Sequence, residues 1–135
     1  VIERVVILLA LIAAGVLLWQ LHHRWALGHL QQAAPRDPLL AGIRRGTPVI
    51  VYFTAPFCAS CRTIQKPTIE RLQHELGDAL QIIHVDASQD EEAAARWGVF
   101  SLPTTVVLDQ HHQVRHINRG VATREKLHLQ LAGGD

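Results

Sequence analysis

Hydrophobic positions along the chain fall into three regimes. From Val5 to Leu21 the residues VVILLALIAAGVLLWQL are apolar on every side, interrupted only by Gln20. As a helix these seventeen residues rise ~26 Å, near the lower limit for crossing the hydrocarbon layer of a membrane. From Trp25 to Ala34 polar positions return, and Pro35-Arg36-Asp37-Pro38 breaks any helix that continues so far. Beyond the prolines, short apolar runs alternate with stretches whose apolar residues lie three and four apart. That pattern predicts strands over 49–54, 80–86, 104–109 and 113–118, and helices over 59–76, 89–97 and 123–132. A short helix is expected over Pro38 to Arg45, with Asp37 as its cap and proline at its first position.

The first three strands are joined by helices, so they are expected to be parallel. The turn around Gln110-His111-His112 is too short for a crossover, so the last two strands form an antiparallel hairpin. The result is an α/β domain over 37–135, a four-stranded mixed sheet with helices on both faces. A stalk or linker over 25–36 and an N-terminal transmembrane anchor over 1–24 precede it. Trp19 and Trp25 lie where aromatic residues meet a membrane surface, and His22, His23 and Arg24 close that end. A cleaved signal peptide is the alternative, with a small-x-small site at Ala26-Leu27-Gly28 that Arg24 and Trp25 crowd. A buried core helix is disfavoured, because so small a domain has nowhere to enclose it. The length of 135 residues suits one domain plus an appendage, and the chain, which opens on Val without any Met, is expected to be trimmed. A net charge of +1 without a basic stripe argues against nucleic acid as a partner.

The chemistry concentrates in VIVYFTAPFCASC, residues 49–61. A strand hands over to a helix there, and Cys58-Ala59-Ser60-Cys61 occupies the handover. Free N–H groups and the positive end of the dipole in a helix's first turn stabilise a thiolate. Cys58 at the tip is therefore expected to ionise readily, and Cys61, one turn in, to be more buried. A thiolate attacks a disulfide, and a second thiol at this spacing resolves the mixed disulfide. Half a zinc site has the same spacing. The two cysteines exclude a four-cysteine site, while two cysteines with two histidines remain open on composition. His112 and His116 have a finger-like spacing, but they lie far beyond a finger's gap from Cys61, in a strand-like stretch. Two inert core cysteines fit poorly after a proline-aromatic turn.

The segment VIVYFTAPFCASCRTIQKPTIERL resembles the active-site segment of the thioredoxin family, and WGVFSLPTTVVLD, residues 97–109, resembles its second signature. The similarity extends over roughly residues 37–132. The resemblance implies a thioredoxin-like fold and a protein thiol–disulfide oxidoreductase with Cys58 and Cys61 as its redox-active disulfide and no bound cofactor. It also implies that Pro103 follows a cis bond facing the cysteines, so that Leu102 offers its backbone to an extended substrate. Phe57 stands where the family usually has Trp and forms an apolar lip. Pro56 stiffens the turn, Ala59-Ser60 replaces the usual Gly-Pro and tunes the potential, and Arg62 is the basic residue that often follows the motif. Pro67 is expected to kink the helix. Tyr52 replaces the buried Asp that many thioredoxins carry, and Ile82 stands nearest to that residue's usual Lys partner. Tyr is a poor proton acceptor at neutral pH, so water or another side chain must assist Cys61.

The implied partners are a protein substrate with an accessible disulfide or dithiol, a redox partner that resets the pair, and the membrane. The reducing direction is expected. Arg24, Arg36, Arg44 and Arg45 follow the apolar stretch and only Arg4 precedes it, which does not favour an outside domain. A tethered redox domain without a spare cysteine nevertheless fits an oxidising compartment, so an extracytoplasmic domain is expected. The alternatives are a non-catalytic binding or chaperone module and delivery of a metal such as copper through the two thiolates.

Overall fold

In a computed structural model, which describes residues 1–133, the chain begins with a 32-residue helix, α1 (Ile2–Ala33). One-turn 3-10 helices follow over Ala34–Arg36 and Pro38–Leu40. The domain proper runs β1 (Val49–Thr54), a π-helical turn (Cys61–Gln65), α2 (Lys66–Leu76), β2 (Gln81–Asp86), α3 (Glu91–Arg96), β3 (Thr104–Leu108), β4 (Val114–Arg119) and α4 (Arg124–Leu131). Residues 134 and 135 of the expected domain lie outside the described residues.

The strands form one mixed sheet in the order β2-β1-β3-β4. β1 pairs parallel with β2 but antiparallel with β3, which corrects the expectation of three parallel strands. The reason is the length of α3. Its six residues rise only ~9 Å, while a six-residue strand spans roughly 20 Å. The chain therefore never returns to the far end of the sheet, and it enters β3 at the end where β1 finishes, with Thr104 opposite Phe53. Pro103 is thereby delivered to the edge from which the cysteine loop leaves. The β3–β4 hairpin is antiparallel, as expected, with a register shift at Val107/Leu108.

β1 is the spine of the core, since Val49 to Phe53 are all buried. On one face Val49, Val51 and Phe53 pack with Leu40, Ala93 and Trp97; on the other, Ile50 and Tyr52 pack with Ile69, Leu72 and Leu127. A strand covered on both faces reads as a continuous apolar run, which explains VIVYF. The helix expected over Pro38 to Arg45 shrinks to a single turn. The Asp37 carboxylate accepts from the Leu39 N–H at 3.0 Å, but Ala41 is extended and Gly42 takes φ +83°, so the helix cannot propagate.

Residues 2–25 of α1 are exposed, and its apolar stretch, with mean hydropathy 2.3, is long enough to cross a membrane. The helix does not end in a free stalk. Leu30 and Ala34 are buried in the core beside Trp97, and the Gln31 amide donates to the Val114 carbonyl at 3.3 Å.

Candidate functional site

Cys58 and Cys61 form a disulfide at the end of the sheet where β1 stops. Cys61 is fully buried, whereas Cys58 is partly exposed, the asymmetry expected of a tip residue and one a turn behind it. The backbone N–H of Cys61 points at Cys58 Sγ from 3.3 Å, and the Ser60 hydroxyl lies 3.6 Å from the same sulfur. Those dipoles favour negative charge on Cys58 whenever the disulfide opens.

The helix expected over 59–76, with a kink at Pro67, carries its irregularity as a wider turn ahead of the proline. Cys61 to Gln65 form a π turn, closed by the Lys66 N–H on the Cys61 carbonyl. Pro67 is the cause. It has no N–H to offer the Thr63 carbonyl, and widening the turn accommodates the missing bond. Thr63 and Thr68 return their hydroxyls to the carbonyls of Ala59 and Ile64, both at 2.9 Å.

Two cavities flank the disulfide. The outer one, about 420 Å³, is an apolar groove whose walls include Phe57, Ala94, Val99, Phe100 and Leu102. Phe57 and Phe100 are 76% and 79% exposed, so two aromatic rings project beside the site, and the Arg119 guanidinium lies 4.8 Å from the Phe100 ring centre. The inner cavity, about 260 Å³, is bounded by Tyr52, Pro56, Cys61, Arg62, Lys66 and His84, with Asp86 at its edge. Phe57 and Leu102 thus meet on one side of the disulfide, and Pro56 and Arg62 on the other. Ala59 is exposed and Ser60 partly so, and neither lines either of these two cavities.

Pro103 is buried, and the Leu102–Pro103 peptide bond is cis. Its carbonyl accepts from the Gly120 N–H at 2.8 Å, while the Thr104 hydroxyl holds the Ser101 carbonyl at 2.7 Å. Gln65 adds a clamp that sequence reasoning missed. It is fully buried, accepts from the Ala122 N–H at 2.8 Å and donates to the Ala122 carbonyl at 3.2 Å. The signal was its place one turn after Cys61, on the buried face shared with Ile69 and Leu72. His84 was also missed. It is visible only once the register sets it opposite Tyr52.

Tyr52 occupies the position that raised the question of a proton acceptor. Its hydroxyl donates to the Cys61 carbonyl at 3.0 Å. Burial pushes the phenol above its ordinary value, against the opposing hydrogen bond to Thr54. The side chain is therefore a neutral donor that fixes the backbone of the cysteine turn.

Comparison with known proteins agrees with this geometry. The thioredoxin family model matches residues 40–132, more than half of the chain. Thioredoxin of Bacillus subtilis is 42% identical over 60 residues, 44% of this chain and 57% of that protein. Chloroplastic thioredoxin X of Arabidopsis thaliana is 32% identical over 87 residues, 64% of this chain and 47% of that one. The chain thus spans about half the length of the curated relatives it matches. The X-ray structure of Fasciola hepatica thioredoxin superposes with a TM-score of 0.58 at 31% identity, covering 67% of this chain and 84% of that one. Sheet order, a disulfide at the start of a helix and the cis bond before Pro103 are thus accompanied by a family match over residues 40–132, and the chain belongs to the thioredoxin family.

Proposed function

We propose that the protein is a membrane-tethered thiol–disulfide oxidoreductase that reduces disulfides in protein substrates, with residues 1–24 as its anchor, 25–36 as the continuation onto the domain and 37–135 as the redox domain. The observation that carries this reading is the asymmetric disulfide, a partly exposed Cys58 receiving an N–H and a buried Cys61 behind it. In the reduced protein the Cys58 thiolate attacks one sulfur of the substrate disulfide, and the other substrate sulfur leaves as a thiolate. Cys61, once deprotonated, attacks Cys58 Sγ. The Cys58–Cys61 bond forms, the bond to substrate breaks, and both electron pairs reside on the substrate. No bound cofactor is required, and a separate dithiol donor resets the pair.

The Phe57 and Leu102 groove is assigned to the substrate chain, with the Leu102 backbone before Pro103 offering short β-type pairing. Pro56, Ala59, Ser60 and Arg62 shape the loop and its potential. The exposed apolar face of α1 supports the tether, and the pair of cysteines without a spare supports an extracytoplasmic domain.

Insulin reduction by the full chain in detergent tests the activity. Wild-type protein accelerates it, and Cys58→Ser abolishes the acceleration. Cys61→Ser accumulates a mixed disulfide with substrate that is visible on a non-reducing gel. Acceleration untouched by Cys58→Ser would overturn the proposal in favour of a binding module. Equilibration against thiol buffers then sets direction, with ~−270 mV expected of a reductase and ~−120 mV of an oxidant.

A further inference from the structure

Cys61 has no exposed surface, yet exchange through it requires the thiol to lose a proton in every cycle. The outer groove, shared by Phe57 and Leu102, holds one carboxylate, Glu91, but its mostly apolar walls do not include Cys61. The inner cavity does include it, and the same cavity is lined by His84. We propose that His84 accepts the Cys61 proton, through water in the inner cavity, and passes it to bulk solvent, an inference that rests on the exchange reading above.

Three observations converge on this residue. The β1–β2 register sets His84 opposite Tyr52, and the two rings meet edge to face at 5.6 Å. The Tyr52 hydroxyl in turn donates to the Cys61 carbonyl, so one side chain separates the imidazole from the buried cysteine. His84 lies on the edge strand β2, packed on Tyr52 on one side and open to solvent on the other, so it can pass a proton outward. A cavity of about 260 Å³ whose lining includes the polar side chains of Thr54, His84 and Asp86 has room for several waters, at ~30 Å³ each in the liquid.

The other groups facing the cavity are poorer carriers. Tyr52 from β1 is held neutral and its hydroxyl is engaged. Asp86 from β2 accepts two hydrogen bonds from Ser88 on one oxygen, from the backbone N–H at 2.9 Å and the hydroxyl at 2.5 Å. Arg62 from the π turn and Lys66 from α2 are cations with no site to accept a proton. Desolvation and then the charge of Lys66 hold the His84 imidazole below its ordinary value against the opposing pull of Glu70, which leaves it unprotonated and ready to accept at neutral pH. The step balances. The Cys61 proton moves to the imidazole, the thiolate forms the bond to Cys58 Sγ, the substrate sulfur leaves with its electron pair and takes a proton from solvent, and the imidazolium releases its own to bulk water.

Stopped-flow reaction of the reduced full chain in detergent with dithiobis(nitrobenzoate) isolates this step. Cys58 releases the first nitrothiobenzoate, and Cys61 releases the second as it closes the disulfide. The expected result is that His84→Gln slows the second release at least tenfold at neutral pH, toward the low end of the ~10²–10⁴-fold range of positioned proton acceptors, and leaves the first unchanged. It also removes from the second release an inflection, below the ordinary histidine value, that wild-type protein displays. An unchanged rate and pH profile in His84→Gln overturns the proposal, as does loss of that inflection in Asp86→Asn instead. Wild-type protein that releases only one equivalent would fail differently, by removing Cys61 from the exchange altogether.

Discussion

The two sides of the disulfide are unlike. Cys58 stands beside a groove of exposed aromatic and aliphatic surface, and Cys61 backs onto a smaller cavity whose lining includes a phenol, an imidazole, a carboxylate and two cations. The first environment suits recognition, because apolar surface left in water gains from any chain that covers it. The second suits proton traffic, because it sets titratable groups beside the buried sulfur. On the proposed mechanism two sulfurs joined to one another are divided between two tasks, and the division follows from which strand each cavity leans on. The outer groove is built on α3 and the loop into β3, the inner one on β1 and β2.

Changes on one side should leave the other side's signature intact. The largest effect is expected from Phe57→Ser combined with Phe100→Ser, which raises KM for a polypeptide disulfide about tenfold, ~1.4 kcal/mol of lost apolar contact. The pH profile of Cys61 closure in that variant stays as in wild type, and a displaced profile would break the division. Next is Tyr52→Phe, which removes the hydrogen bond to the Cys61 carbonyl. Because that carbonyl keeps the Lys66 N–H, the expected loss is ~1 kcal/mol in urea unfolding, with KM unchanged.

The smallest effect concerns the ion pair of Arg96, on the helix that floors the outer groove, with Asp37 at 3.0 Å. Burial raises the Asp37 carboxyl, but hydrogen bonds from Arg96 and the Leu39 N–H outweigh it and hold the group below its ordinary value. A lowered folded value contributes stability above the unfolded value of ~3.9 and loses it as pH falls through the folded one. Arg96→Gln should therefore destabilise the protein slightly at pH 7, because solvent screens the half-exposed guanidinium, and the difference from wild type should shrink below about pH 4. Urea titrations at both pH values measure it.

What the sequence disclosed and what it withheld divide along similar lines. β1, the cysteine turn and the apolar helix were legible because each is written in consecutive residues, VIVYF, PFCASC and the run from Val5 to Leu21. The direction of β3 was not, because it depends on how far six residues of α3 can carry the chain. The π turn was half legible. Pro67 announced a disturbance, but whether a proline yields a bend or a wider turn depends on the packing around Gln65 and Ile69. His84 and Gln65 matter through partners 32 and 57 residues away in the chain, Tyr52 and Ala122, and no local pattern encodes such pairs.

The burial of Leu30 and Ala34 against the sheet has a mechanical consequence. A domain hung on a flexible linker sweeps a volume and meets partners at any angle. Here the last turns of the long helix are themselves part of the core, so the helix and the sheet turn together. If the apolar stretch is seated in a bilayer as proposed, the disulfide would work at a nearly constant height and attitude above the surface. Its reach is then set by the ~1.5 Å rise of each helical residue between lipid and core, and lengthening or shortening that segment would move the site up, down and around the membrane normal in steps of ~100° per residue.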